Sequence, residues 1–371
     1  MIKILFFIED LEAGGAEKVL RDLVNHMDQT RFDITVQTVW PGDAEKLLVP
    51  GIRYLTIYHK DNCFNRQRYR LEAELGLTYP LHIRDDYDIE CAYMEMGTTK
   101  IMAASTNKMA KKLAWVHCDL KKKTGDWRAF SKKTSKWYRR FDEVVCVSES
   151  VRKNFREIFG DDIKTQVLYN VVDDALIRRR AEEALPSGLQ KRKLTVVSLG
   201  RLTCEKAYGR LLSVHRRLIE AGLDYDLWIA GEGEDRPKLE QYIRDHHLED
   251  SVRLTGFLDN PYPLLKTADL LVCSSKYEGF STFVSEGLIL GKAFVTTDCS
   301  GMRELLGDSE YGLVVDNEEQ ALLQGMHDLL SDDSLRDHYS EQAKKRGTDF
   351  SAAELCAAAE NYFMKLAGET N

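Results

Sequence analysis

Two carboxylates, Glu278 and Glu286, stand eight positions apart in the stretch SSKYEGFSTFVSEGL (274–288). Between them lie Gly279, Phe280, Ser281 and Thr282, then an apolar run with Phe283, Val284 and Leu288. Ser281 or Thr282 is a natural cap for a helix carrying that run, and Gly291 a natural end to it. The N–H groups at such a start, with about half a positive charge from the helix dipole, form a site for phosphate. Glu278 then sits on the loop before the helix and Glu286 about one turn inside it. A diphosphate on the helix start would have one carboxylate toward each end. Eight helical residues span about 12 Å, an upper guide because the first few are loop, and a sugar nucleotide fits that span. Its hexose hydroxyls could meet Glu278 and its ribose hydroxyls Glu286, since carboxylates accept strong hydrogen bonds from diols. Two unrelated surface glutamates are the bland alternative.

Three further constellations bear on that choice. In SLGRLTCEK (198–206), Arg201 and Lys206 follow a strand and a glycine, and two cations there can neutralise a diphosphate. In IEDLEAGGAEKVLRDLV (8–24), Gly14 and Gly15 separate a strand from a helix; paired glycines admit a ligand close to backbone N–H groups, or merely make a turn. In AWVHCDL (114–120), His117 ends a strand, with Asp119 placed to orient it or to cap the next segment.

From Lys108 to Arg140 there are twelve Lys or Arg against Asp119 and Asp126, so this stretch carries +10 in a chain of net charge −8. Trp127, Phe130, Thr134, Trp137, Tyr138 and Phe141 follow helical spacing within it. Lys121, Lys122, Lys123, Arg128, Lys132, Lys133, Lys136, Arg139 and Arg140 make a cationic face, and an anionic membrane surface is the expected partner. A packed helix with a solvated face is the alternative. The acidic balance of the remainder argues against nucleic acid.

These residues need elements to hold them. Short runs rich in Val, Ile and Phe at 2–8, 32–40, 52–58, 88–94, 112–118 and 143–148 alternate with helical patterns, and a second series follows at 193–200, 225–231, 252–258, 270–275, 293–298 and 312–316. That alternation predicts two parallel sheets clothed in helices. A chain of 371 residues with 43% apolar composition also fits two cores better than one. The expected domains are residues 1–175 and 190–345, joined by an exposed connector in DDALIRRRAEEALPSGLQKRK (173–193). A last helix from the capping box at Ser351 to 371 has one buried face, formed by positions 355, 358, 359, 362, 363 and 366. Two such domains leave a cleft at the carboxyl ends of their strands, where ligands of these sheets bind.

Eight scattered cysteines without C-x-x-C spacing point to thiols in a reducing compartment. The apolar run Ile2 to Ile8 is closed by Glu9 and Asp10 before a signal-peptide core forms, and no apolar stretch is long enough to span a bilayer. The expected location is cytoplasmic, peripheral on the inner face of the cell membrane.

Gly14-Gly15-Ala16-Glu17, His117, GRL with Lys206, GEG (231–233), Gly256-Phe257, EGFSTFVSE and TDCSGMREL ending in Glu304 resemble, in that order, glycosyltransferase family 4. The most specific element is the Glu-seven-Glu pattern after a strand. The resemblance implies an α/β GT-B fold, two doubly wound Rossmann-like domains facing across a cleft, and a retaining, metal-independent hexosyltransferase. It implies that Arg201 and Lys206 bind the donor diphosphate, Glu278 the sugar and Glu286 the ribose, with Gly15 and residues 279–282 in the donor site. Gly14, Gly15 and His117 would face the acceptor and the reacting centre, and Gly256 and Phe257 would lie near the base. Lys206 is usually followed by glycine in this family, whereas Ala207 and Tyr208 stand here, so the loop is expected to differ. DYD at 86–88 and 224–226 precedes strands, the wrong end for a metal-binding pair of acids.

The expected reaction moves a sugar from a UDP-linked donor, with no other cofactor, to a glycan or lipid-linked acceptor in bacterial-type surface polysaccharide synthesis. A nucleotide-sugar epimerase or hydrolase of the same fold, or a non-catalytic partner subunit, are the alternatives. A dinucleotide oxidoreductase is disfavoured because GEGEDR (231–236) has arginine at the third glycine position.

Overall fold

The computed structural model describes residues 1–11, 14–42 and 46–368. The chain forms two units. One comprises Met1–Val172 and the stretch from Ala352 onward; the other comprises Asp173–Ser351.

The first unit is built on β1 (Ile2–Ile8), β2 (Phe32–Thr38), β3 (Arg53–Thr56), β4 (Ile89–Ala92), β5 (Lys111–Val116), β6 (Glu143–Cys146) and β7 (Thr165–Val167), in spatial order β3-β2-β1-β4-β5-β6-β7. Every pairing is parallel. Central parallel strands are covered on both faces, which is why β1 reads as a nearly unbroken apolar run with only Lys3 exposed. The second unit holds β8 (Leu194–Leu199), β9 (Tyr225–Ala230), β10 (Val252–Gly256), β11 (Leu270–Cys273), β12 (Phe294–Thr297) and β13 (Leu313–Val315), in order β10-β9-β8-β11-β12-β13, again parallel throughout. In each sheet the strand order reverses once, between β1 and β4 and between β8 and β11. Loops leaving neighbouring strands diverge at such a switch and open a crevice at the carboxyl ends.

The strand at Thr165–Val167 was not expected from the sequence: it is short, at the sheet edge, with Gln166 exposed. The boundary also differs. The 173–193 segment is not merely a connector, because a helix, Asp174–Arg180, forms there and buries Ile177. Asp173 caps it by accepting from the Leu176 N–H at 2.8 Å. Arg180 ties it to the second unit through Asp259 at 2.9 Å, and Asn260 donates to the Arg180 carbonyl at 2.9 Å.

The last helix, Ala352–Ala367, packs on the first unit. Phe363 meets Phe6 and Phe32 edge-on at 5.9 and 6.4 Å, Glu360 accepts from the Asp28 N–H at 2.6 Å, and Tyr362 donates to Glu143 at 3.0 Å. Its buried residues are Ala352, Cys356, Ala359, Glu360, Phe363 and Met364; of the expected face Ala359 and Phe363 are buried, Leu355, Tyr362 and Leu366 half-buried, and Ala358 exposed. Glu360 enters that face because a backbone N–H meets its carboxylate. The expected helix end at 369–371 lies outside the described residues.

Candidate functional site

At the switch point of the second unit, the loops after β8 and β11 line the crevice from its two sides. The first passes Gly200 and Arg201, makes a short turn at Cys204–Lys206, and enters the helix Tyr208–Glu220 through Ala207 at φ +54°. The glycine usual after the lysine is therefore replaced by an alanine that keeps a left-handed backbone. Gly231 and Gly233 hold this loop from below. A Cβ on Gly231 would lie 2.0 Å from the Gly200 carbonyl oxygen, and one on Gly233 2.4 Å from that of Leu202. The GEG motif is thus a close backbone contact, sealed by the Leu202 N–H donating to the Glu232 carbonyl at 2.8 Å.

Lys206 reaches across to the second loop and donates to Glu278 Oε1 at 2.6 Å. Ser275 donates to the same oxygen at 2.6 Å, and Ser274 donates to the Lys206 carbonyl at 2.8 Å. Burial opposes charge on Lys206, but Glu278 outweighs it and holds the ammonium above its usual range. Every bond from the described residues to Glu278 falls on Oε1, so Oε2 is unengaged.

Arg210, which carries no motif signal in the sequence, fixes that loop. Its guanidinium donates to the Ser274 and Ser275 carbonyls and to Asn317 Oδ1 at 2.9 Å. Asn317 donates onward to the Ser275, Lys276 and Asp298 carbonyls, and Thr297 donates to that of Ser275 at 2.6 Å. Arg210 lies in the first turn of the helix that follows the Lys206 loop, a place that no spacing in the sequence marks.

The helix after the loop runs Thr282–Ile289, with Ser281 at its cap position and no side-chain cap bond from Ser281. A Cβ on Gly287 would stand 2.1 Å from Phe294 Cε2 and 2.6 Å from Leu271 Cδ1, so the missing side chain lets this helix lie directly on β11 and β12. Gly291 follows the helix at φ +66°, as expected of its end. Gly301, at φ +80°, brings the TDCSG turn against the loop: a Cβ there would lie 2.3 Å from the Gly279 carbonyl oxygen.

The expected donor residues divide into two groups. Lys206 and Glu278 touch. Glu286 is the fifth helical residue, 4% exposed, and roughly 6 Å along the axis from Thr282, closer than the loop-inclusive guide. Arg201 is exposed and makes no ion pair among the described residues. The Phe280 side chain is buried and faces Phe350 with ring centroids 6.4 Å apart. Gly256 sits at φ +79°, bridged to Gly231, and Phe257 beside it is 61% exposed.

In the first unit, Gly14 is extended and caps the helix Gly15–His26, the next element in the chain after β1, with the Glu17 carboxylate folded over it. Glu12 and Ala13 of the same motif lie outside the described residues. His117 ends β5, and its ring packs on Tyr93 at 4.8 Å. Burial pushes its pKa down to about 4 against the pull of Glu95, so the imidazole is neutral at pH 7. Its Nε2 is buried with no partner among the described residues.

Glu95 was not anticipated. It is almost fully buried and accepts from Lys123 Nζ at 2.8 Å, the Cys118 thiol at 2.9 Å and the His117 N–H at 3.1 Å. Burial works against its ionisation, but Lys123 and then His117 outweigh it and bring its pKa to about 2. Asp119 does not orient the imidazole. It caps the next helix, accepting from the N–H groups of Lys121 and Lys122.

The basic helix is present as Trp127–Tyr138, with Thr134 and Tyr138 buried and Trp127, Phe130 and Trp137 half-buried. The cationic face is smaller than expected. Lys123 is committed to Glu95, Lys121 to Glu157 at 2.7 Å, Arg139 to Asp162, and Arg140 to the Ala103 carbonyl at 3.0 Å. Lys122, Arg128, Lys132, Lys133 and Lys136 remain exposed without a carboxylate partner among the described residues. No helix among those residues is long and apolar enough to cross a membrane, and none of their His, Cys, Asp and Glu side chains group in threes suited to a metal ion.

Two family models match the chain: "Glycosyltransferase Family 4" over residues 13–176 and "Glycosyl transferases group 1" over 179–346. The sequence is 35% identical over 203 residues to the N-acetylgalactosamine-N,N'-diacetylbacillosaminyl-diphospho-undecaprenol 4-alpha-N-acetylgalactosaminyltransferase of Campylobacter jejuni. That match covers 54% of this chain and 54% of the relative, about half of each. The amylovoran biosynthesis glycosyltransferase AmsD of Erwinia amylovora is 21% identical over 358 residues, covering 94% and 96%. Among solved structures, Anabaena HepE in complex with UDP and glucose aligns with a TM-score of 0.77 at 19% identity, covering 98% of this chain and 99% of that one, a likeness of fold.

Proposed function

The chain belongs to the family 4 glycosyltransferases of GT-B fold, and from that premise we propose that it moves a hexose-type sugar, with retention, from a UDP-linked donor to a glycan or lipid-linked acceptor in polysaccharide or glycoconjugate synthesis. The observation that carries the reading is the state of Glu278. Its Oε1 is saturated by Lys206 and Ser275, while Oε2 is open to a sugar hydroxyl. An ammonium has three N–H donors, and Glu278 takes one, leaving Lys206 the others for a phosphate oxygen.

Breaking the anomeric bond builds positive charge on the sugar and negative charge on the departing diphosphate. Cationic groups already fixed at the diphosphate lower that barrier without reorganising during the reaction. Lys206 is fixed by Glu278; Arg201 is a second cation on the same loop; the start of the Thr282–Ile289 helix adds its dipole. Glu286 is the partner assigned to the ribose. The scheme draws no charge from a metal.

Removing one such donor typically lowers the rate ~10²–10³-fold, or roughly 2.7–4 kcal/mol. Lys206→Ala and Arg201→Ala should therefore each lower UDP release by about that factor with the fold intact by circular dichroism. A rate within threefold of wild type in both would remove them from the site. Consumption of donor at full rate without acceptor would favour an epimerase or hydrolase.

A further inference from the structure

The amino ends of the second sheet's strands, opposite its crevice, gather four lysines. Lys191 precedes β8, Lys266 is in the last turn of the helix Tyr262–Thr267 that leads into β11, Lys292 precedes β12, and Lys344 is near the end of the helix Asp333–Arg346. Lys191 donates to the Thr267 carbonyl at 3.2 Å and Lys292 to the Ala268 carbonyl at 2.9 Å, so two ammonium groups meet consecutive carbonyls at one helix end. The Lys344 side chain lies against Gly291, the residue before Lys292: a Cβ there would stand 2.4 Å from Lys344 Cγ.

Carboxylates are shared unevenly among the four. Asp269 accepts from Lys191 at 2.6 Å and, through its other oxygen, from the Thr195 N–H at 2.8 Å, while Lys266 pairs with Glu182 and Lys344 with Glu341. Lys292 is half-buried and holds a backbone carbonyl, with no carboxylate partner among the described residues.

An amine withdrawn from water beside other cations is the setting in which lysine becomes a nucleophile near neutral pH. Burial brings the Lys292 pKa down to about 8, against the pull of Asp269 and aided by Lys191, Lys266 and Lys344. About half of this amine is therefore free at pH 8, against roughly 0.4% of an ordinary lysine. Lower basicity also weakens attack, by about tenfold over this range at the Brønsted slope that thiols show, so about a tenfold advantage is left. The exposed ammonium groups of Lys266 and Lys344 add attraction for a phosphate dianion approaching the amine.

We propose that Lys292 is an acylation site that takes its acyl group from an acyl phosphate. The free amine attacks the acyl carbon, and the bond from that carbon to the phosphate oxygen breaks. The electron pair leaves on that oxygen, which takes the proton the nitrogen loses, so acetyl phosphate and lysine give acetyl-lysine and hydrogen phosphate. The inference is independent of the glycosyltransferase reading, although the site borders the donor helix: the Lys292 N–H donates to the Gly287 carbonyl at 3.0 Å and closes the end of Thr282–Ile289.

The test is acetylation of the full chain by acetyl phosphate at pH 8. The remaining amines are then labelled to completion with deuterated acetic anhydride in urea, and mass spectrometry of the peptides gives the occupancy of each lysine. Lys132 and Lys136, exposed and in a cationic cluster of their own, are the references. Lys292 should react about tenfold faster than either in the folded chain and at the same rate as they do in urea. Its rate should level off above about pH 8, whereas theirs keep rising toward pH 10. A Lys292 rate no higher than the references in the folded chain, an advantage that survives in urea, or a rate that climbs with pH as theirs do overturns the proposal.

Discussion

Glu95 shows how one buried charge can hold a reactive segment. Its carboxylate gathers a thiol, an ammonium and a backbone N–H from residues 117–123, which fixes where His117 stands. Its pKa falls from 4.5 to about 2 on folding, so the carboxylate's contribution is fully present above about pH 4.5 and is lost as pH falls toward 2. Glu95→Gln should lower stability by roughly 2–3 kcal/mol at pH 7. In urea titrations the gap from wild type should narrow below about pH 4.5 and close only toward pH 2, and equal midpoints at pH 7 would contradict this role. This residue was invisible in the sequence because its partners lie 22 to 28 positions away, with no periodic relation to it. Lys206 and Glu278 were legible for the opposite reason: each follows a strand end, where parallel sheets bind ligands. Their direct ion pair was not, since it depends on how two loops 72 residues apart meet.

Among the elements, glycine decides how closely the donor helix sits on its sheet. Gly287 faces Phe294 and Leu271 with no room for a methyl group, whereas a Cβ added to Gly209, in the helix after Lys206, would meet nothing within 4 Å. Gly287→Ala should cost about 1–3 kcal/mol by overpacking and weaken UDP binding by tilting the helix start. Gly209→Ala should instead stabilise by about 0.5–1 kcal/mol and leave UDP affinity unchanged. Thermal melts and UDP titrations of the pair check this, and equal melting temperatures would contradict it. The alternating apolar runs revealed the central strands because burial on both faces leaves an unbroken apolar signature. The edge strand with exposed Gln166 carries no such signature, and the run Arg178-Arg179-Arg180 disguised a helix with a single buried residue as a linker.

Across the molecule, charge is strongly segregated: +10 over 108–140 in a chain of −8. The patch after internal pairing still includes Lys122, Arg128, Lys132, Lys133 and Lys136, each contributing about 1 kcal/mol near an anionic leaflet. We therefore propose reversible attachment to an anionic membrane. The variant Lys132→Glu, Lys133→Glu, Lys136→Glu should float with anionic vesicles far less than wild type, and equal wild-type recovery with neutral vesicles would contradict the attachment. The donor site underlies the whole functional reading, and a structure with UDP bound is its decisive test. The diphosphate should lie at the start of the Thr282–Ile289 helix, contacted by Arg201 and Lys206, with Lys206 still on Glu278 Oε1 and Glu286 on the ribose. UDP bound elsewhere, with those four side chains untouched, would contradict it.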